Sequence, residues 1–273
     1  MTFIDTLSTM WRDSSALLRL IIINVAMFAL IMVGRLVASL CGSGIITELV
    51  GWLECPDSML ALVTHPWSLI TYMFVHVDIF HLIFNMLLLY WFGSVFMLTG
   101  VSRQIYFLYL AGGMAGGLLF AATGSIPTWY NTGLLAGSSA SVMAIVVAAV
   151  VLHPDYRFNL FIFGEVALKW VGVAVIVLAM IGGGSKAAHL GGAATGVVYA
   201  VMLTRGRDLS AFLKCCTISS NKFRYNPGGR TTQASNDKSR EEELDEILDK
   251  VRRSGYASLS RSEKKRLIDI SKK

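Results

Sequence analysis

Four polar side chains lie within long apolar stretches of the sequence, and their types fit acyl-transfer chemistry. They are His81, Asn85, Ser139 and His189. A serine hydroxyl can act as the nucleophile and an imidazole as its general base, while a second imidazole and a carboxamide can donate to a developing oxyanion. Each residue alone also has a structural interpretation, as a packing serine or a hydrogen-bonded histidine. The combination is therefore more informative than any single residue.

The spacing of these residues groups them on three segments. His76, His81 and Asn85 follow one another in the run His-Val-Asp-Ile-Phe-His-Leu-Ile-Phe-Asn, and the last two share one helix face because they are four residues apart. Ser139 lies in Gly-Ser-Ser-Ala-Ser, which begins at Gly137. His189 lies in Ala-His-Leu-Gly-Gly, a small-residue pattern that allows close helix approach. No His-Glu-x-x-His pattern is present, so a metal site fits less well.

Composition predicts that a membrane surrounds these segments. The 273 residues are 54% hydrophobic, and the mean hydropathy is +0.58. Residues 1–204 hold only 7 of the 24 Lys and Arg and 8 of the 18 Asp and Glu. These values argue against a soluble enzyme. The net charge of +6 comes from the tail beyond residue 204, so it is poor evidence for nucleic-acid binding, and no nucleic-acid partner is expected.

Charge-poor windows predict six membrane helices in an all-α membrane protein. The windows are about 20–40, 79–98, two within 104–154, about 170–181, and 187–204. The loops on one side of the membrane carry eight basic residues, and those on the other side carry only Lys186. This asymmetry predicts that both termini are cytoplasmic. The predicted organisation is an N-terminal cytoplasmic segment at 1–17, a membrane domain at 18–204, a linker at 205–239 and a small helical cytoplasmic extension at 240–273.

The first loop, roughly 41–75, is too apolar for a disordered loop and predicts structure lying in the membrane interface. Cys41 and Cys55 fall in this loop and could pair, but unpaired packing thiols are the commoner case. With both termini inside, the segments that carry Asn85, Ser139 and His189 all begin near the outer boundary. The sequence therefore predicts that a hydroxyl, two imidazoles and a carboxamide meet at one depth.

These motifs, in this order over roughly residues 60–204, resemble the rhomboid family of intramembrane serine proteases. The resemblance implies a six-helix rhomboid bundle in which Ser139 is the nucleophile and His189 its base, without a third acid. It also implies that His81, Asn85 and the Ser139 backbone N–H hold the oxyanion. The supporting residues would be His76 near the cavity mouth, Gly137 in the serine turn, Met143 beside the imidazole, and Gly192 and Gly196 at the helix contact.

The resemblance further implies a substrate that is itself a transmembrane segment, cut near the outer face, with the fifth helix as a gate. No cofactor is implied, and the expected location is a bacterial cytoplasmic membrane. Three positions depart from the family pattern: Ala140 replaces a glycine, Met143 replaces a tyrosine, and Ser68 replaces the arginine of a Trp-Arg pair that begins at Trp67. Two other functions remain open at this stage. One is an inactive rhomboid-like protein that binds client helices, and the other is a transporter whose histidines relay protons.

Overall fold

A computed structural model of the protein describes residues 14–124, 126, 133–160, 164–182, 184–211 and 260. Contacts divide the chain into two units, Met1–Ile218 and Ser219–Lys273. Most of the predicted N-terminal segment and of the linker lies outside the described residues, as does the C-terminal extension apart from Ser260. The boundaries proposed for these segments therefore stay predictions.

Six apolar helices make up most of the described part of the first unit, at the positions that the charge-poor windows predict. Numbered with the shorter helices of the first loop, they are α1 Ala16–Leu40, α5 Ile79–Phe96, α6 Ser102–Thr123, α7 Ser139–Leu152, α8 Leu168–Ile181 and α9 Lys186–Thr204. By length and composition α1, α5, α6 and α9 are candidates to cross a membrane. The prediction of an all-α membrane bundle is confirmed.

The helices α7 and α8 are shorter, with 14 residues each. Fourteen residues rise about 21 Å, less than the roughly 30 Å of a hydrocarbon core. Every residue of α7 from Ala140 to Ala149 is buried, so this helix lies at the centre of the bundle. A helix that is apolar on all sides is expected in such a position. At least one end of α7 must then lie below a membrane surface.

The first loop is structured, as its composition predicts. It contains α2 Ile45–Leu53, α3 Met59–Thr64, α4 Ser68–Thr71 and a 3₁₀ turn at Tyr72–Phe74. Side chains tie these pieces together: Trp67 Nε1 donates to the Trp52 carbonyl at 2.9 Å, and Thr71 Oγ1 donates to the Leu53 carbonyl at 2.7 Å. The position of this loop in a membrane interface stays a prediction. Cys41 is exposed, Cys55 is buried, and both thiols are free.

Two short antiparallel ribbons complete the described fold, and neither was predicted. In the first, β1 Cys55–Pro56 pairs with β2 Leu134–Leu135 and joins the first loop to the segment before α7. In the second, β3 Arg157–Leu160 pairs with β4 Gly164–Ala167 between α7 and α8. Glu165, expected at the start of the fifth span, belongs to this hairpin, and α8 begins only at Leu168.

Glycines bring α6 and α9 against α7. A Cβ atom placed on Gly192 would overlap the Ala140 carbonyl oxygen, and one on Gly196 would overlap the Ala144 carbonyl oxygen. From the other helix, a Cβ on Gly116 would lie 2.5 Å from the Ala140 Cβ. Only glycine permits these approaches, and they set the separation between α7 and α9.

Candidate active site

A tight turn delivers Ser139 to the first position of α7. Gly137 has φ of +113°, which side-chain-bearing residues rarely adopt, and its N–H donates to the Tyr72 carbonyl at 3.0 Å. A Cβ on Gly137 would also lie 2.5 Å from His81 Cε1. Glycine is therefore required here for two reasons, the backbone conformation and the close packing of the imidazole. Ser139 itself is partly buried.

His189 comes from the first turn of α9 and meets Ser139. The Ser185 hydroxyl caps this helix by accepting from the Ala188 N–H at 3.2 Å. His189 is 6% exposed, and its Nε2 lies 3.1 Å from Ser139 Oγ. The structure thus brings together the hydroxyl and the imidazole that the sequence places 50 residues apart.

A backbone carbonyl orients the His189 ring from the opposite side. His189 Nδ1 lies 3.1 Å from the Ala179 carbonyl oxygen in the last turn of α8. Carbonyl groups in the last turn of a helix lack intrahelical partners. Since a carbonyl can only accept, Nδ1 must carry the proton, and in the neutral ring Nε2 is then an acceptor for the Ser139 hydroxyl. Sequence reasoning missed Ala179, because a backbone contact leaves no side-chain signal.

His81 and Asn85 face the same cavity from α5. The Asp78 carboxylate caps α5 by accepting from the His81 N–H at 2.8 Å. One N–H of the Asn85 amide donates to the His81 carbonyl at 2.9 Å, which leaves the second N–H for another acceptor. Both side chains line a cavity of about 640 Å³ that also holds Ser139, His189 and Met143.

The cavity is otherwise apolar, and its walls come mainly from α5, α7 and α8. The aliphatic and aromatic lining residues are Phe84, Leu87, Leu88, Trp91, Val142, Val146, Val175 and Leu178. None of the described lining residues carries a carboxylate. Nor do the described residues hold a group of three or more His, Cys, Asp or Glu that could bind a metal.

The position of His76 differs from the expectation. The resemblance implied a place near the cavity mouth, but His76 is fully buried behind the serine turn. Its Nε2 accepts from the Ser138 N–H at 3.3 Å and lies 3.2 Å from Ser138 Oγ. Burial, with a smaller effect of the nearby His81, lowers the pKa of His76 to about 4, so the ring is neutral and suited to accept these bonds. It contacts the turn rather than the cavity.

Comparison with known families assigns the chain to one of them. Residues 63–206 match the family described as "Rhomboid domain", which is more than half of the chain, and the protein belongs to the rhomboid family. The chain is therefore a rhomboid membrane protein, and membership supports an intramembrane protease or a rhomboid-like function. Residues 234–273 match a family of unknown function, DUF6576.

One curated relative is named RHOMBOID-like protein 12, mitochondrial, from Arabidopsis thaliana. It is 31% identical to the chain over 158 residues, which cover 51% of this chain and 47% of the relative. The chain thus spans about half the length of this relative.

Proposed function

We propose that the protein is an intramembrane serine endopeptidase that cleaves transmembrane segments of other membrane proteins near the outer membrane face, with Ser139 and His189 as a catalytic dyad. The observation that carries the proposal is the 3.1 Å contact between Ser139 Oγ and His189 Nε2 inside the cavity. Family membership supports the reaction class.

The first step is attack of Ser139 on the substrate carbonyl. His189 Nε2 takes the hydroxyl proton as the Ser139 Oγ–carbon bond forms, and the carbonyl π electrons move to its oxygen. The contact from His189 Nδ1 to the Ala179 carbonyl keeps the ring in the required tautomer and stabilises the imidazolium. A carbonyl thereby serves the orienting role that an acid serves in a triad.

The negative oxygen needs donors, and three are available at this site. They are the second N–H of the Asn85 amide, the His81 ring and the Ser139 backbone N–H, which is unpaired within its helix because it belongs to the first turn. Removal of one such donor in serine proteases lowers kcat about 10²- to 10³-fold. Collapse of the intermediate breaks the peptide bond as His189 returns its proton to the leaving amine.

Water must then hydrolyse the acyl-enzyme, and the cavity supports this step. A volume of about 640 Å³ is large enough to admit water, and the four polar side chains of the lining offer it hydrogen-bond partners. The apolar walls from α5 and α8 support a substrate that is an apolar helix segment entering between these helices. Phe84 and Leu178 on the two walls are 62% and 68% exposed, as lipid-facing residues would be.

The test is cleavage of a model single-pass membrane protein by the purified, detergent-solubilised chain. Ser139→Ala and His189→Gln should each lower the initial rate by at least about 10³-fold. Ser141→Ala is the matched control. The Ser141 hydroxyl is buried two residues away and has no hydrogen-bond partner within the described residues, so this variant should cleave at the wild-type rate.

Two results would contradict the proposal. Cleavage that survives Ser139→Ala would assign the nucleophile elsewhere. A folded wild-type protein that crosslinks to the substrate helix without cutting it would favour an inactive rhomboid-like protein that binds client helices.

A further inference from the structure

A carboxamide is buried in the first apolar helix, far from the dyad in sequence. Asn24 on α1 is 0% exposed. A polar side chain at such a position is unfavourable unless it is paired, and those that persist commonly have a function. The Asn24 amide donates to the Leu20 carbonyl at 2.8 Å within its own helix, and to the Tyr109 hydroxyl of α6 at 3.0 Å.

Tyr109 also contacts the 3₁₀ turn that precedes α5. Its ring and hydroxyl are fully buried, and the hydroxyl donates to the Met73 carbonyl at 3.1 Å while it accepts from Asn24. Two helices and the 3₁₀ turn are thus joined at one buried hydroxyl.

The segment from Tyr72 to His76 in turn holds the two residues that precede Ser139. The Tyr72 carbonyl accepts from the Gly137 N–H at 3.0 Å, and His76 Nε2 accepts from the Ser138 N–H at 3.3 Å. Gly137 is in the left-handed region, so the turn depends on such external bonds to keep its conformation.

From this chain of contacts we infer that Asn24 and Tyr109 are positioning residues for the nucleophile. Neither is a hydrogen-bond partner of the Ser139 hydroxyl, whose partner among the described residues is His189. They fix the segment from Tyr72 to His76, and this segment fixes the turn that aims Ser139 Oγ at His189. The inference rests on the proposed function of Ser139 as nucleophile. A misplacement of 1 Å can slow an enzymatic reaction about 10²-fold, so a smaller displacement of Ser139 Oγ is enough to lower the reaction rate measurably.

The variant that tests this is Tyr109→Phe, which deletes the hydroxyl and keeps the ring. We expect the second-order rate of fluorophosphonate labelling, and kcat for the model substrate, to fall at least about tenfold with KM unchanged, because the cavity walls are intact. Asn24→Leu, of similar volume, should give a smaller loss in the same direction. The double variant should lose no more than Tyr109→Phe alone, since both act through one hydroxyl.

Tyr199→Phe is the matched control for a lost buried hydroxyl. Tyr199 is 1% exposed, and its hydroxyl donates to Asp208 Oδ1 at 3.2 Å, away from the serine turn. This variant should lower Tm and leave the labelling rate and kcat at wild-type values. If Tyr109→Phe behaves in the same way as Tyr199→Phe, the role of Tyr109 is only structural and the inference is wrong.

A second measurement separates this inference from the proposed function. Imidazole ¹⁵N spectra of histidine-labelled protein report the His76 Nε2 hydrogen bond from Ser138 whether or not the protein is a protease. Tyr109→Phe should shift the His76 signal, and Tyr199→Phe should not. If wild type resists labelling but Tyr109→Phe shifts the His76 signal, Ser139 is not the nucleophile, while Tyr109 still positions the serine turn. If labelling of Tyr109→Phe is normal and its His76 signal is unshifted, only the positioning role of Tyr109 is refuted.

Discussion

Substitution of Gly192 by alanine should separate the two residues of the proposed dyad without changing either. An alanine Cβ would lie 2.9 Å from the Ala140 carbonyl carbon and 3.1 Å from its Cα, and would overlap the carbonyl oxygen. These are backbone atoms of α7, so no side-chain rotation relieves the overlap. The helix α9 must move away from α7 instead.

The size of the effect follows from the geometry. Ordinary contacts begin near 3.4 Å, so α9 must retreat by about 1 Å, and His189 is three residues before Gly192 on the same helix face. The contact between Ser139 Oγ and His189 Nε2 would lengthen from 3.1 Å beyond hydrogen-bond range. We expect a loss of about 10²-fold in kcat and about 1–3 kcal/mol in the free energy of unfolding.

The assay compares initial cleavage rates and Tm in detergent for wild type, Gly192→Ala and two control variants. The three atoms nearest to a Cβ on Gly34 all belong to the Ile46 side chain and lie at ordinary contact distance, the closest at 3.5 Å. Gly34→Ala should therefore keep full activity and gain up to about 1 kcal/mol from helix propensity. Gly191→Ala presses on the Ala115 carbonyl of α6 at 2.7 Å and should lower Tm with less loss of rate. Folded Gly192→Ala protein that cleaves at the wild-type rate would show that the close contact between α7 and α9 does not set the position of His189.

Three further predictions concern the oxyanion donors, an ion pair and a thiol. Asn85→Ala should lower kcat about 10²-fold with a smaller change in KM, measured on the model substrate, because one oxyanion donor is lost; an unchanged kcat would exclude that role. Desolvation raises the pKa of Asp208, but hydrogen bonds from Ser210 and from Arg103, its ion-pair partner, outweigh it and leave the pKa at about 2. A depressed carboxyl pKa gives its full contribution to stability above the ordinary value of 3.8 and loses this contribution as pH falls through about 2. Asp208→Asn should therefore cost about 1 kcal/mol near neutral pH, after allowance for solvent screening, and only a small part of that at pH 2, where about half of the Asp208 carboxyls are already protonated. Melting curves from pH 2 to 7 would show a Tm difference that shrinks with acid, and a constant difference would contradict this. Burial raises the pKa of the Cys55 thiol to about 12, so maleimide mapped by mass spectrometry should modify Cys41 and spare Cys55 in folded protein, and equal modification of the two would contradict the buried position.

The membrane helices could be predicted from sequence because lipid imposes a simple requirement on each of them. A span must be long and nearly free of charge, and the windows that meet this condition match α1, α5, α6 and α9 closely. The rule is weaker where protein rather than lipid surrounds the helix. The short helix α7 is enclosed by its neighbours, and the first residues expected in the fifth span form the β4 strand at Gly164–Ala167 instead.

The sequence predicts those parts of the candidate site that depend on side-chain type and spacing, and not those that depend on backbone contacts or helix packing. Ser139 and His189 are recognisable because each lies in a small-residue motif that opens an apolar segment. The Ala179 carbonyl is not recognisable, since every residue has one. The contacts of Asn24 with Tyr109 depend on how α1 packs against α6, and no sequence period encodes that packing. His76 has the expected residue type, but its partner is the serine turn.

The role of Ser139 as the nucleophile is tested most directly by mapping the covalent adduct of a fluorophosphonate probe by mass spectrometry of the detergent-solubilised protein. We expect one phosphonylated residue, Ser139, with labelling lost in Ser139→Ala and strongly slowed in His189→Gln. An adduct on Ser138 or Ser141, or labelling that proceeds equally well without the His189 imidazole, would show that Ser139 and His189 do not form the proposed dyad.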